Sequence, residues 1–339
     1  MSAPVLETEA LSIAVPAGRA LPFRPARRLS IVEEVSLAIR PGEIVALVGE
    51  SGSGKTTFGR ALVGLVKPTA GTLTFEGTPL PDFSPASYRR VRARTALLFQ
   101  DPASSFNPRQ RIGSIVAEPR RIAGTGGTDE TALAALVRQA GLSPAVLDRF
   151  PHALSGGQAR RAAIARALSV VPRLVVADEP TAGLDVSVQG GVLNLFLDIR
   201  AAHDTAFLVI THNLAVVRHI SDRIAILYLG RVVESGPTAA IFRAPRHPYT
   251  RALIESEPVP DPRRRRTEPP VAGEVPSLAN RPSGCAFHLR CRFAAERCRT
   301  EAPPEILVGP DHRLSCHFPL AETAAPAAGP RAAALQKRA

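Results

Sequence analysis

The stretch Ile44-Val-Ala-Leu-Val48-Gly49-Glu50-Ser51-Gly52-Ser53-Gly54-Lys55-Thr56-Thr57 governs how the rest of the chain is read. Five consecutive apolar residues suit a strand buried on both faces of a parallel sheet. The glycine-rich run after them fits G-x-x-x-x-G-K-[ST], and a helix is expected over residues 56–66. That is the strand–loop–helix setting this spacing requires. Glycines let the backbone wrap tightly, so that its N–H groups point at an anion, and a helix start adds the positive end of its dipole. Lys55 is then placed to reach the β- and γ-phosphates of a nucleotide, and Thr56 to coordinate Mg²⁺. An ordinary Gly-rich turn requires neither the lysine nor the hydroxyl.

Working outward from this loop, strands are expected at residues 31–39, 71–76, 95–99, 174–177 and 206–210, with a hairpin over 224–229 and 231–234 turning at Gly230. Helical patterns occupy residues 158–168, 186–202 and 214–220. Strands alternating with helices imply a mostly parallel sheet covered on both faces. Between residues 102 and 154 the pattern turns helical (112–117 and 130–140), which reads as an inserted helical subdomain. Residues 1–20 carry no clear signal, and 21–28 read as a Pro/Arg-rich loop. Residues 251–274 form a Pro/Arg linker containing Arg263–Arg266, residues 275–319 a small module rich in Cys, Arg and His, and residues 320–339 an Ala/Pro tail expected to be flexible.

The 339 residues allow about two self-folding domains. A hydrophobic content of 45% and a mean hydropathy near zero exclude a disordered polyelectrolyte. Four cysteines are too few for a disulfide-built secreted scaffold. The opening MSAPVLETEA lacks the basic and apolar regions of a signal peptide, and no run approaches the roughly 20 apolar residues of a membrane span. A cytoplasmic protein is expected. The formal charge of +12 suggests an acidic partner, whether nucleic acid, nucleotide or anionic lipid, without choosing among them.

A second chemical signal follows in Arg173-Leu-Val-Val-Ala-Asp178-Glu179, where an apolar strand ends on two carboxylates. In α/β sheets ligands bind at this end of the strands. Asp178 is expected to hold Mg²⁺ through its water shell, and Glu179 to polarise an attacking water. Leu154-Ser155-Gly156-Gly157-Gln158 resembles the signature sequence of ABC-transporter ATPases. Gln100, after Leu97-Leu98-Phe99, resembles their Q-loop glutamine; Ala182-Gly183-Leu184-Asp185 resembles their D-loop; His212, after Val209-Ile210-Thr211, resembles their switch histidine. These motifs stand in family order over about residues 25–240.

The resemblance implies an α/β fold: a P-loop ATPase cassette over residues 1–250 with its helical subdomain at 102–154, followed by the small C-terminal cysteine-containing module. It implies ATP as substrate and Mg²⁺ as cofactor, with Gly49, Glu50, Ser51, Gly52, Ser53, Gly54, Lys55, Thr56 and Thr57 around the phosphates. Thr56, Gln100 and Asp178 would hold Mg²⁺, and Glu179, His212 and Gln100 would serve hydrolysis. Ser155, Gly156, Gly157, Gln158 and Asp185 would close over ATP held by a second subunit in a head-to-tail dimer. Read alone, Ser155 with two glycines is either an anion nest or a helix N-cap. Asp185 alone is a helix-capping carboxylate, His212 a helix-start or core histidine, and Gln100 a polar strand-end residue. Where the family often stacks adenine on an aromatic ring, this chain has Arg28-Leu29-Ser30-Ile31, so looser nucleotide selectivity is expected. Ala159-Arg160-Arg161 is a mild variation after the signature that leaves its glycines intact.

Three further segments resemble oligopeptide and dipeptide importer ATPases, their F-type subunit above all: His247-Pro-Tyr-Thr250-Arg-Ala-Leu253, the run from Gln100 through Asn107-Pro108-Arg109, and the cysteine module. The resemblance implies a peripheral protein on the cytoplasmic face of the inner membrane. Its implied partners are a second ABC ATPase in a heterodimer, two permease subunits and an extracytoplasmic peptide-binding protein, with no nucleic acid. Cys285, Cys291, Cys298 and Cys316 are spaced C-x5-C-x6-C-x17-C, without the C-x2-C knuckles of common zinc sites. Four thiolates can hold a [4Fe–4S] cluster; Zn²⁺ and unliganded thiols are the other readings. Arg290, Arg292, Arg297 and Arg299 would compensate a tetrathiolate, or form a solvated or subunit-facing basic surface. Arg263–Arg266 reads as a solvated charge run or a contact for an anionic surface. Import of nickel or another small solute is the rival function. A soluble ABC protein of DNA repair or translation usually carries two cassettes or a long coiled coil, and a purely regulatory cassette has no use for Lys55 and Glu179.

Overall fold

The strand β3 (Ile44–Val48) is buried at every position and lies between two parallel neighbours, β8 (Ala206–Thr211) and β9 (Arg223–Tyr228). On the β8 side the parallel sheet continues through β7 (Leu174–Asp178) to β6 (Thr95–Leu98). Burial on both faces is why β3, β7 and β8 read as nearly unbroken Val, Ile, Leu and Ala. Beyond β9 the sheet turns antiparallel through β10 (Arg231–Pro237), β12 (His312–Ser315) and β11 (Glu305–Gly309). The expected hairpin across Gly230 is the β9–β10 pair. This computed structural model describes residues 3–17, 27–125, 129–257 and 273–321. Most of the expected 21–28 loop, the Arg263–Arg266 run and nearly all of the expected tail lie outside the described residues.

A second sheet is antiparallel, in the order β2 (Arg27–Ile39), β1 (Leu6–Ala17), β4 (Ala70–Phe75), β5 (Thr78–Pro79). The strand β1, twelve residues long, carries no clear signal in the sequence. Its pairing with β2 slips at Thr8/Leu11, Leu11/Ile13 and Ile13/Ala14, and such irregularities break the period-2 pattern that reveals a strand. The helix α1 (Lys55–Leu62) buries Phe58, Ala61 and Leu62 among residues of both sheets, including Val32, Leu73, Val176 and Ile210. It stops short of the expected residue 66, because Gly64 adopts φ 75° and the Leu65 N–H closes back on the Arg60 carbonyl.

After α2 (Arg89–Arg94), the helical block holds α3 (Ile112–Ala123) and α4 (Glu130–Gln139), packed on α5 (Gly156–Leu168). The α3 helix outruns the expected 112–117 and runs through Pro119. Proline costs a helix one hydrogen bond but does not end every helix. The helices α6 (Val186–His203) and α7 (Leu214–Ile220) follow their strands, then come α8 (Thr238–Arg243), α9 (Pro248–Glu255) and the short α10 (Glu296–Thr300). Among the described residues no helix is long and apolar enough to cross a membrane. The cysteine-containing residues lie against the main sheet: β12 pairs with β10, and the His312 ring meets the fully buried Glu234 carboxylate at 2.8 Å.

Candidate nucleotide site

The loop after β3 is shaped by two close approaches. A Cβ on Gly49 would lie 2.2 Å from the Leu227 carbonyl oxygen. At Gly54 the backbone has φ 103°, and a Cβ there would lie 2.8 Å from the Ile31 carbonyl. Only glycine meets both demands. Inside the loop the Lys55 ammonium donates to the carbonyls of Gly49 and Glu50, each at 2.8 Å. Burial lowers the Lys55 pKa, opposed by the carboxylates of Glu179, Asp178 and Glu50. Thr56 donates its hydroxyl to Asp178 Oδ1 at 3.1 Å, joining the start of α1 to the end of β7. Burial raises the Asp178 pKa, with the Thr56 hydrogen bond opposing. A hydroxyl paired with a carboxylate fits Mg²⁺, which selects oxygen donors.

Glu179 follows β7 with φ 48°, a left-handed conformation that costs about 1–3 kcal/mol for a non-glycine residue. Its carboxylate is held on both oxygens. Thr211 donates to Oε2 at 3.2 Å, and His212 Nδ1 lies 2.6 Å from Oε1. The Glu179 backbone is tied down as well: its N–H donates to the Ile210 carbonyl at 2.8 Å, and its own carbonyl accepts from Arg160 at 2.9 Å. Arg160 also donates to the carbonyls of Gln100 at 3.2 Å and Ala182 at 2.9 Å. One guanidinium from α5 thus connects the segments of Gln100, Glu179 and Ala182. Sequence reasoning placed Arg160 only within a mild variation after the signature. The available signal was a cation among Ala159, Ala162 and Ala163 on a helix that buries eight of its 13 residues.

Lys55, Thr56, Asp178, Glu179 and His212 therefore converge, whereas the Gln100 side chain is exposed after β6. Ser155 caps α5 through a reciprocal capping box, with Ser155 Oγ accepting from the Gln158 N–H at 3.2 Å and Gln158 Oε1 from the Ser155 N–H at 3.1 Å. A Cβ on Gly156 would meet nothing within 4 Å. Asp185 caps α6, accepting from the Val188 N–H at 3.0 Å and the Ser187 hydroxyl at 2.6 Å. Within one chain both segments are local caps facing outward. Leu29, in the expected base-stacking stretch, pairs with Val15 across β1 and β2.

A family model described as ABC transporter matches residues 32–182, and one described as Oligopeptide/dipeptide transporter, C-terminal region, matches residues 233–298. Over 294 residues the chain is 46% identical to a protein of Sinorhizobium fredii named as a probable peptide ABC transporter ATP-binding protein, covering 84% of this chain and 82% of that one. The chain belongs to the ATP-binding subunits of peptide ABC transporters. This ABC ATPase is also 42% identical over 299 residues to the di/tripeptide transport ATP-binding protein DppF of Pseudomonas aeruginosa, with 87% and 92% covered. Among solved structures it resembles the dimeric ATP-binding cassette MJ0796 in a post-hydrolysis state bound to ADP and Pi. The TM-score is 0.61 at 25% identity, covering 69% of this chain and 98% of that one.

The C-terminal region of the ABC ATPase approaches the same site. Arg290 donates to both carboxylate oxygens of Glu50, at 2.8 and 3.1 Å, and the Glu50 N–H donates to the Tyr249 hydroxyl at 3.1 Å. Cys285, Cys291, Cys298 and Cys316 are free thiols lining one small cavity, walled by Phe287, Phe293, Phe318 and His247 among others. Burial raises the pKa of Cys285 and Cys291 and pushes Cys316 up to about 12, so these sulfurs stand as neutral thiols. Four converging sulfurs suit a soft metal in donor type. As placed they do not fit a cluster or Zn²⁺: among the described residues no three His, Cys, Asp or Glu side chains are arranged to hold a metal ion.

Proposed function

We propose that this ABC ATPase powers peptide uptake through a membrane permease, hydrolysing ATP at sites shared with a second, different ABC ATPase. The observation that carries the reading is the Glu179 carboxylate, held between Thr211 and His212 at the end of β7, beside the Asp178–Thr56 pair. In this mechanism Lys55 and the N–H groups of residues 49–57 bind the phosphates, and Thr56, Asp178 and Gln100 hold Mg²⁺. Mg²⁺, when bound, offsets phosphate charge. Glu179 orients the attacking water and takes its proton, while His212 donates a hydrogen bond toward the γ-phosphate. This chain's Ser155, Gly156, Gly157, Gln158 and Asp185 close over ATP bound by the partner ATPase. That role explains why a glycine-rich turn stays open to solvent in the single chain.

Coupling to transport runs through the 102–154 block. A groove of about 530 Å³, lined by Leu97, Pro119, Ile122 and Ala167 and edged by Arg89, Arg92 and Arg166, lies where β6 meets α3 and α5. It takes a cytoplasmic segment of a permease subunit, which places the ATPase peripherally on the inner membrane. Residues 1–250 form the cassette in this reading, and residues 275–319 the importer-type module. The four thiols take a [4Fe–4S] cluster, or less favourably Zn²⁺, only if the sulfurs draw together and lose their protons. Iron and zinc analysis of anaerobically purified protein tests this, and absence of both metals refutes it.

Reconstitution in vesicles with the partner ATPase, permeases and peptide-binding protein tests the function. Peptide uptake is expected to require ATP. Glu179→Gln should retain ATP binding while lowering turnover about a hundredfold or more; unchanged turnover refutes the role given to Glu179. Uptake of nickel without peptide would favour the small-solute reading.

A further inference from the structure

We propose that Arg290, carried by the cysteine-containing region, is a positioning residue for the phosphate-binding loop, where it cancels the charge of Glu50 and thereby sets the affinity for ATP. Glu50 is fixed from three sides by three separate parts of the chain. Its carbonyl accepts from Lys55 at 2.8 Å, its N–H donates to Tyr249 of α9 at 3.1 Å, and its carboxylate takes the Arg290 fork at 2.8 and 3.1 Å. The pair is not a loose surface contact, since the Arg290 side chain is only 8% exposed and that of Glu50 23%. Arg290 ends the short turn His288–Arg290, immediately before Cys291. Its guanidinium lies 5.9 Å from the centre of the Tyr228 ring, which packs on Tyr249 at 4.7 Å and on Phe287 at 5.3 Å. An aromatic bracket thus aims the arginine at the loop.

The sign of the effect follows from the charges. A carboxylate in the second position of a loop that must receive a triphosphate repels the ligand, and partial burial strengthens the repulsion. Paired with a planar bidentate guanidinium, Glu50 presents no net charge and holds one geometry. Without Arg290 the carboxylate is left unpaired beside the phosphates. Without either partner the repulsion vanishes again, although the loop loses its brace.

The proposal rests on the ATP-hydrolysing reading, which turnover by the wild-type complex tests separately. In the full-length protein within its complex, Arg290→Gln is expected to raise the KM for ATP about tenfold, with kcat changed by less than about twofold. Arg290→Lys, which keeps the charge but loses the fork, should fall between the two. Adding Glu50→Gln to Arg290→Gln should bring KM back to within about threefold of wild type, a rescue that general misfolding cannot produce. Titration with MgATP on the catalytically slow Glu179→Gln background should show the same order of affinities. A KM for Arg290→Gln within twofold of wild type overturns the proposal. So does a double variant no better than Arg290→Gln alone, which would mark Arg290 as a structural anchor.

Discussion

Glu179 sits in a left-handed backbone conformation, and the groups that hold it there come from far along the chain. The Arg160 guanidinium accounts for much of this, because its three acceptors are the carbonyls of Gln100, Glu179 and Ala182. Truncation to Arg160→Ala removes those bonds together and leaves part-buried carbonyls short of donors. Each hydrogen bond from a charged donor is worth about 1.5–3 kcal/mol, and the three share one side chain. Arg160→Ala is therefore expected to cost about 2–4 kcal/mol in denaturant unfolding and to lower kcat at least tenfold, since the Glu179 backbone is no longer pinned. Equal stability and turnover in the two proteins would show that the three contacts are incidental. The side chains that act on phosphate were legible in the sequence because their chemistry demands particular residue types at particular spacings. Arg160 was not, because its partners are backbone carbonyls, which leave no mark on residue type.

The helix α5 begins on a serine with two possible duties. As an N-cap, Ser155 stabilises the first turn by about 1 kcal/mol; as part of the signature it would meet ATP on another subunit. Aspartate separates the two, because it caps helices about as well as serine but brings a negative charge toward the facing phosphates. Ser155→Asp is expected to leave the unfolding free energy of this chain within about 0.5 kcal/mol, while lowering ATP turnover of the assembled complex at least tenfold. Turnover close to wild type would reduce Ser155 to a cap. Element-level legibility followed the same physical divide. Strands buried on both faces declared themselves as apolar runs at 44–48, 174–177 and 206–210, and those runs lie in β3, β7 and β8. The α3 helix through Pro119 and the irregularly paired β1 were obscured, because a proline and a slipped register each interrupt the periodicity on which sequence reading depends.

At the scale of the molecule, the region expected to stand apart as a small module is joined to the ATPase fold by sheet pairing, by His312 on Glu234 and by Arg290 on Glu50. None of these long-range partners can be read from spacing. The same junction contains a buried histidine with a clear acid response. His247 is fully buried, its Nδ1 accepts from the Tyr249 N–H at 3.0 Å to cap α9, and burial pushes its pKa down to about 4. An exposed histidine in the unfolded chain titrates near 6.5. Between those values the unfolded chain binds a proton that the folded chain refuses, so folding stability must fall as pH drops from about 6.5 toward 4. At about 1.36 kcal/mol per pKa unit, the loss from this one group reaches on the order of 3 kcal/mol at the lower end. His247→Asn, a capping residue without the titration, is expected to start less stable at pH 7.5 but to lose less stability than wild type between pH 7 and pH 5 in urea melts. Parallel pH slopes for the two proteins would contradict the assignment. Because α9 carries the Tyr249 hydroxyl that receives the Glu50 N–H, protonation of His247 in the folded chain, centred near pH 4, should also weaken MgATP binding.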